Sequence, residues 1–135
     1  MSFKTNMKNL LLFLIFILSI SPVHAKWVGI FEYDDYATYI EANSLRHRCK
    51  LVSYWVMQDF SSLQTNGVFS QKVMFEENCD TGESRALSIA LYSEKMGKGN
   101  ILPSVPMDKK WDYVVPGSAG EFMHKYVCSQ NIKKK

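Results

Sequence analysis

Residues 73–92 read Val-Met-Phe-Glu-Glu-Asn-Cys-Asp-Thr-Gly-Glu-Ser-Arg-Ala-Leu-Ser-Ile-Ala-Leu-Tyr, and the alternation of polar and apolar side chains through them decides the fold class. Successive strand side chains point to opposite faces, so Val73, Phe75 and Cys79 share one face. Leu87, Ile89 and Leu91 form a branched apolar row opposite Ala86, Ser88, Ala90 and Tyr92. Between the two runs lies Asp80-Thr81-Gly82, whose glycine accepts the positive φ of a tight turn. Two period-two segments around a short glycine turn predict an antiparallel hairpin with Cys79 at its tip end.

Working upstream, Lys50–Phe60 is dense in β-branched and aromatic residues on both faces, which predicts a long central strand. Trp27–Tyr33 and Ala37–Glu41 read as two shorter strands joined at Asp34-Asp35. Asn43–Arg46 reads as a turn or one helical turn, and Ser61–Gly67 as a polar loop. Downstream, Met96-Gly97-Lys98-Gly99 predicts a reversing turn, Asn100–Leu102 a last strand, and Pro103–Lys110 a loop. Trp111–Val115 then leads into Pro116-Gly117-Ser118-Ala119-Gly120-Glu121, which holds a capping box with Ser118 as N-cap and Glu121 at the third helical position. A helix follows over about Ala119–Cys128, with Phe122, Met123, Tyr126 and Val127 as its buried side. Gly120 weakens it by up to about 1 kcal/mol relative to alanine. The expected architecture is α+β: a five- to six-stranded antiparallel sheet with a C-terminal helix packed on one face.

Three cysteines, Cys49, Cys79 and Cys128, give one bridge and one leftover thiol, with three pairings open. So short a helix is marginal in water and needs an anchor. A Cys79–Cys128 bridge would pin its end to the hairpin, and closing a loop of that length stabilises the fold by about 4 kcal/mol in the chain-entropy treatment. That pairing is preferred on this ground. Cys49 follows Arg46-His47-Arg48 in a turn before a strand, as a free thiol or a site of intermolecular pairing.

The N-terminus sets the compartment. Met1–Asn9 carries Lys4 and Lys8 without an acid; Leu10–Ile20 (LLLFLIFILSI) is apolar; Ser21-Pro22 breaks the run; Val23-His24-Ala25 has small residues at the cleavage positions. This pattern is that of a secretory signal peptide over residues 1–25, with an apolar core about half the ~20 residues of a membrane span. Cleavage after Ala25 leaves 110 of the 135 residues, Lys26–Lys135, a single small domain with a basic tail over about 130–135. Its 14 lysines and arginines balance 13 acids, a net charge of +1. That is far from the cationic face needed for nucleic acid. No cysteine near Ala25 offers a lipid anchor, so the expected product is periplasmic, at the cell surface or secreted, without a stable membrane anchor.

No catalytic motif appears. Ser44, Ser70, Ser93 and Ser118 lie outside any G-x-S-x-G context, and beyond the signal segment only His47 and His124 are histidines. Asp34-Asp35 reads as a solvated turn, and Asp59 and Lys72 as a cross-strand pair. Met96–Gly99 lacks the spacing of a phosphate loop. His47, Cys49 and His124 lack the clustering of a metal site. The expectation is therefore no enzyme, with no catalytic, cofactor-binding or metal residue. Tyr36, Tyr54 and Tyr113, if exposed together, would form a protein-binding patch.

These elements, in this order, carry a family resemblance. A leading Trp27 strand precedes Tyr39–Leu45 as Y-x-x-x-x-S-L and Val52–Trp55 as V-x-x-W. Ser70-Gln71-Lys72, Glu76–Cys79 and Arg85-Ala86-Leu87 follow. Tyr92–Gly99 reads Y-S-x-x-M-G-x-G, and Trp111–Glu121 reads W-x-x-V-x-P-G-S-x-G-E ahead of Cys128. The chain resembles the surface-adhesin protein E family of Gram-negative bacteria. The resemblance implies an antiparallel sheet with a C-terminal helix tied on by a disulfide. It also implies a non-enzymatic exported protein that binds a host or extracellular matrix protein, and a possible homodimer. The chain departs from the pattern in lacking the anchoring cysteine and in having Cys49. The departure leaves an alternative function, a soluble periplasmic accessory module that binds an envelope partner.

Overall fold

The computed structural model describes residues 6–9, 12 and 24–130. Apart from those few positions, the expected signal peptide lies outside the described residues, as does the segment 131–135. Eight strands form one antiparallel sheet: β1 Trp27–Glu32, β2 Tyr36–Glu41, β3 Arg46–Arg48, β4 Leu51–Phe60, β5 Ser70–Asn78, β6 Glu83–Tyr92, β7 Ile101–Leu102 and β8 Asp112–Tyr113. Their order is β1-β2-β4-β5-β6-β7, with β3 pairing β4 and β8 pairing β6 off that path. Helix α1 spans Ala119–Ser129, and single 3₁₀ turns occupy Ala42–Ser44 and Lys95–Gly97.

Six strands lie on the main path, and the two beyond the expected number are β3 and β8. They have three and two residues, too few for an alternating pattern to show. The β5–β6 hairpin closes around Gly82 at φ 74°. There the Asn78 side-chain oxygen accepts from the backbone N–H groups of Asp80 and Thr81 at 3.1 and 3.2 Å. One expectation about this hairpin is corrected. The ladder pairs Val73 with Ile89 but Phe75 with Ala86, so its register shifts and the apolar row does not run straight through Leu87. Beyond the shift, Ala86 and Ser84 share the face of Ile89 and Leu91. A bulge of this kind exchanges which residues point each way.

Helix α1 covers the other end of that face. Ile40, Val52, Tyr54 and Val56 of the sheet pack with Met123 and Val127 of the helix to form the core. The capping box forms with one change: Ser118 Oγ accepts from Glu121 N, while the Glu121 carboxylate accepts from Gly117 N at 2.7 Å rather than from Ser118 N. Phe122, expected on the buried side, is 44% exposed and rests its ring 5.0 Å from Phe31. The helix faces the sheet through Ala119, Met123 and Val127 instead, one residue per turn at spacings of four. Cys79 and Cys128 are joined, with Cα atoms 5.6 Å apart across a sequence separation of 49. Cys49 is a free, exposed thiol in the turn between β3 and β4, at φ 55°.

The opposite face is held by the Lys95–Gly97 turn. Asp59 Oδ1 accepts from Met96 N at 2.7 Å, and Ser70 Oγ accepts from Gly97 N at 2.8 Å while donating to the Glu94 carbonyl at 2.6 Å. Asp59 lies 3.8 Å from Lys95 rather than pairing with Lys72. Lys72 instead lies over the rings of Tyr92 and Trp27, at 5.2 and 5.7 Å. It sits two register positions from Asp59, opposite Met57, and its stem lies under Gly97.

Candidate binding groove

The shift in β6 has a consequence on the helix side of the sheet. Where a leucine row would have filled the space, Ser84 and Ala86 leave a low floor. The chain bridges over it: β8 pairs with Glu83 and Ser84, and Val114 N donates to the Gly82 carbonyl at 3.2 Å. Pro116-Gly117 then redirects the backbone, with Gly117 at φ 77°, into α1. The result is a cleft of about 500 Å³ between the start of α1, the 108–115 segment and the sheet, floored by Gln58, Phe75, Ser84 and Ala86.

Its rim is aromatic and apolar. Tyr33 and Tyr36 stand on one side, and Tyr113 and Val115 on the other. Tyr113 is 76% exposed, Val115 66% and Tyr33 40%. An aromatic chain extends the first side. Phe122 meets Phe31, Phe31 meets Tyr33 at 4.3 Å, Tyr33 meets Tyr36 at 5.0 Å, and Tyr36 meets Phe60 at 6.4 Å between centroids. Asp108, Lys110 and Asp112 supply both signs of charge. Large apolar side chains held exposed around a concavity, with charges at the edge, have the make-up of a protein-recognition surface.

Of the three tyrosines considered from sequence, Tyr36 and Tyr113 line this groove and Tyr54 does not. Tyr54 is fully buried in the core, because its strand position pairs it with Phe75 under the helix. Its hydroxyl donates to Glu77 Oε1 at 2.6 Å, and Ser84 Oγ donates to the same oxygen at 2.9 Å. His124 Nδ1 lies 2.8 Å from Glu77 Oε2. Glu77 is 1% exposed. Three donors converge on its two oxygens, which satisfies the hydrogen-bonding demand of a carboxyl group in an apolar interior. Burial pushes the Tyr54 hydroxyl well above the ordinary tyrosine value, and the charge and hydrogen bond of Glu77 push it further, so it remains a donor. The other ring nitrogen of His124 faces Cys128 Sγ at 3.8 Å.

Sequence reading missed Glu77 although it lies in the alternating row with Phe75 and Cys79. A carboxylate in an inward row requires a buried partner, and that was the available signal. The other residues weighed from sequence have structural work. Ser44 Oγ donates to the Glu41 carbonyl and accepts from Trp55 N; Ser93 Oγ accepts from Asn100 N; Ser118 caps the helix. Asp34 and Asp35 are exposed. Among the described residues, no group of three or more His, Cys, Asp or Glu side chains is placed to hold a metal ion, and no helix is long and apolar enough to cross a membrane.

The sequence pattern of the family described as surface-adhesin protein E matches residues 27–129. The chain belongs to that family. Solved structures of Haemophilus influenzae protein E share the fold of this adhesin E chain. Crystal form II aligns with a TM-score of 0.63 at 13% identity, covering 80% of this chain and 91% of that one. The selenomethionine form aligns at 0.66 and 13%, covering 80% and 89%. Protein E from a non-typeable strain aligns at 0.59 and 13%, covering 81% and 79%. No curated protein matches the chain. Membership in a family of surface adhesins points to a surface or exported location.

Proposed function

We propose that residues 1–25 direct export and that the 26–135 domain is a non-enzymatic adhesin. Its groove takes a host or extracellular matrix protein. The observation that carries this reading is the rim: Tyr113, Val115, Phe122 and Tyr33 remain exposed beside a cleft of about 500 Å³. Tyrosines that present a large rigid surface around a concavity are the usual anchors of protein interfaces. Family membership supports the adhesive role.

The test has two arms. Labelling of intact cells with a membrane-impermeant reagent should reach the protein. The purified domain should also bind an immobilised matrix or serum protein, and Tyr113→Ala should weaken that binding by about thirtyfold, the effect of losing about 2 kcal/mol at an interface anchor. Labelling only after the outer membrane is opened, with no matrix binding, would defeat the reading. Recovery of a bacterial envelope protein from the periplasm would then identify the domain as an accessory module.

A further inference from the structure

We infer that the Cys79–Cys128 bond is a site of directed thiol–disulfide exchange, in which an incoming thiolate attacks Cys79 and Cys128 departs as the leaving thiolate, held by His124. Four observations carry this. His124 Nε2 lies 3.8 Å from Cys128 Sγ. Its other nitrogen is fixed by Glu77 at 2.8 Å, with the Nδ1 proton between them, so Nε2 has one direction to face. Glu77 is a buried acceptor with Tyr54 and Ser84 also donating to it, which fixes the carboxylate that holds the ring. Cys79 and Cys128 are both half-buried and pack against the core from its edge rather than lying within it.

The asymmetry sets the direction. Cys128 has the imidazole, one turn away on the same helix face. Cys79 has the Lys50–Asp80 ion pair, which is exposed on both partners and screened by solvent. Exchange runs faster when the leaving sulfur is the better stabilised thiolate. In the first step the thiolate of a small thiol forms a bond to Cys79 Sγ. The Cys79–Cys128 bond breaks, its electron pair goes to Cys128 Sγ, and a proton taken from solvent by way of His124 Nε2 settles on the new thiolate. In the second step another thiolate attacks the outer sulfur of the adduct. That releases Cys79 as a thiolate and the two small thiols as their disulfide. The protein gains two electrons and takes up two protons; the two small thiols lose the electrons. The arrangement makes the clamp on the end of α1 chemically addressable, with Cys79 as the position that is S-thiolated.

Reduced glutathione serves as the probe. The folded, oxidised domain is incubated with it, quenched with acid at intervals and digested for mass spectrometry. The adduct should appear on Cys79, at a rate rising in proportion to glutathione. An adduct on Cys128, an even distribution, or a rate independent of glutathione would overturn the inference. In His124→Gln, reduction should slow about tenfold while the fold, followed by circular dichroism, is kept; an unchanged rate would also overturn it. If that variant does not fold, the reduced wild-type protein decides. Iodoacetamide should then modify Cys128 before Cys79, and equal rates would refute the proposed role of His124.

Discussion

Glu77 Oε2 and His124 Nδ1 meet at 2.8 Å, joining the end of β5 to the middle of α1 across 47 residues of chain. The contact lies beside the disulfide, so the helix is fastened to the sheet twice within a few ångströms. One fastening is covalent and acts mainly on the unfolded chain. The other is polar and acts on the native state.

Glu77→Ala should therefore destabilise the domain strongly even with the disulfide intact. It leaves Tyr54, Ser84 and His124 without their shared acceptor in a buried site, a loss of about 3–5 kcal/mol. Tyr54→Phe removes one neutral donor and keeps the ring that stacks on Phe75, so it should lose only about 1–2 kcal/mol. Urea unfolding of oxidised protein measures both, and equal losses would mean that the carboxylate is not the hub.

Cys79→Ser with Cys128→Ser should lower stability by about 4 kcal/mol, the chain-entropy value for a loop of this size. The loss should be uneven. Amide exchange in the last two turns of α1 should rise more than in β4 or β5, whose ladder pairs nine residues from each strand. Uniform acceleration would show that the bridge supports the whole domain rather than the helix.

The legible parts of this fold were those whose signal is local and repeated. The long strands β4, β5 and β6, the glycine turn at Gly82 and the Ser118 cap all follow from patterns of four or more residues. The Cys79–Cys128 pairing followed from the weakness of a short helix. What escaped was set by tertiary partners. The shift past Leu87 depends on how β5 and β6 align under the helix, and that alignment put Ser84 and Ala86 beneath the groove. Phe122 points outward because Phe31 offers it a stacking partner at the rim. Tyr36 and Tyr113 of the groove come from β2 and β8, far apart in sequence, and only the sheet order brings them together.

Gly97→Ala should be costly for two reasons. The backbone there has φ 67°, and an added Cβ would fall 2.5 Å from Lys72 Cε and 2.8 Å from Met57 Cε. Met57 is fully buried and has little room to move. A loss of about 2–3 kcal/mol is expected. Gly117→Ala has a similar φ of 77° with nothing within 4 Å of the new Cβ, and should lose only about 1 kcal/mol. Thermal melts of the two variants separate steric crowding from backbone strain.

The start of α1 should respond to acid. The Gly117 N–H holds the Glu121 carboxyl below its ordinary value, and Lys125 contributes less. A depressed carboxylate stabilises the fold above the unfolded value, about 4.3, and that contribution disappears as pH falls through the folded one. Glu121→Gln should therefore lower the melting temperature slightly at pH 7 and leave it unchanged once the pH has fallen well below the ordinary glutamate range. An equal effect at both pH values would mean that the side chain acts through packing.

Tyr113→Ala and Val115→Ala offer the sharpest separation of binding from stability. Both side chains are largely exposed, at 76% and 66%, and sit on a segment held by backbone bonds, not by their own packing. Removing exposed atoms changes folding free energy by no more than about 0.5 kcal/mol. At an interface the same atoms would be desolvated, and their loss would slow association little and speed dissociation about tenfold or more. Surface plasmon resonance against a matrix protein, paired with urea unfolding, reads both quantities on the same samples. Variants that lose stability and binding together would place these residues in the scaffold, whereas intact stability with faster dissociation would place the partner on the groove.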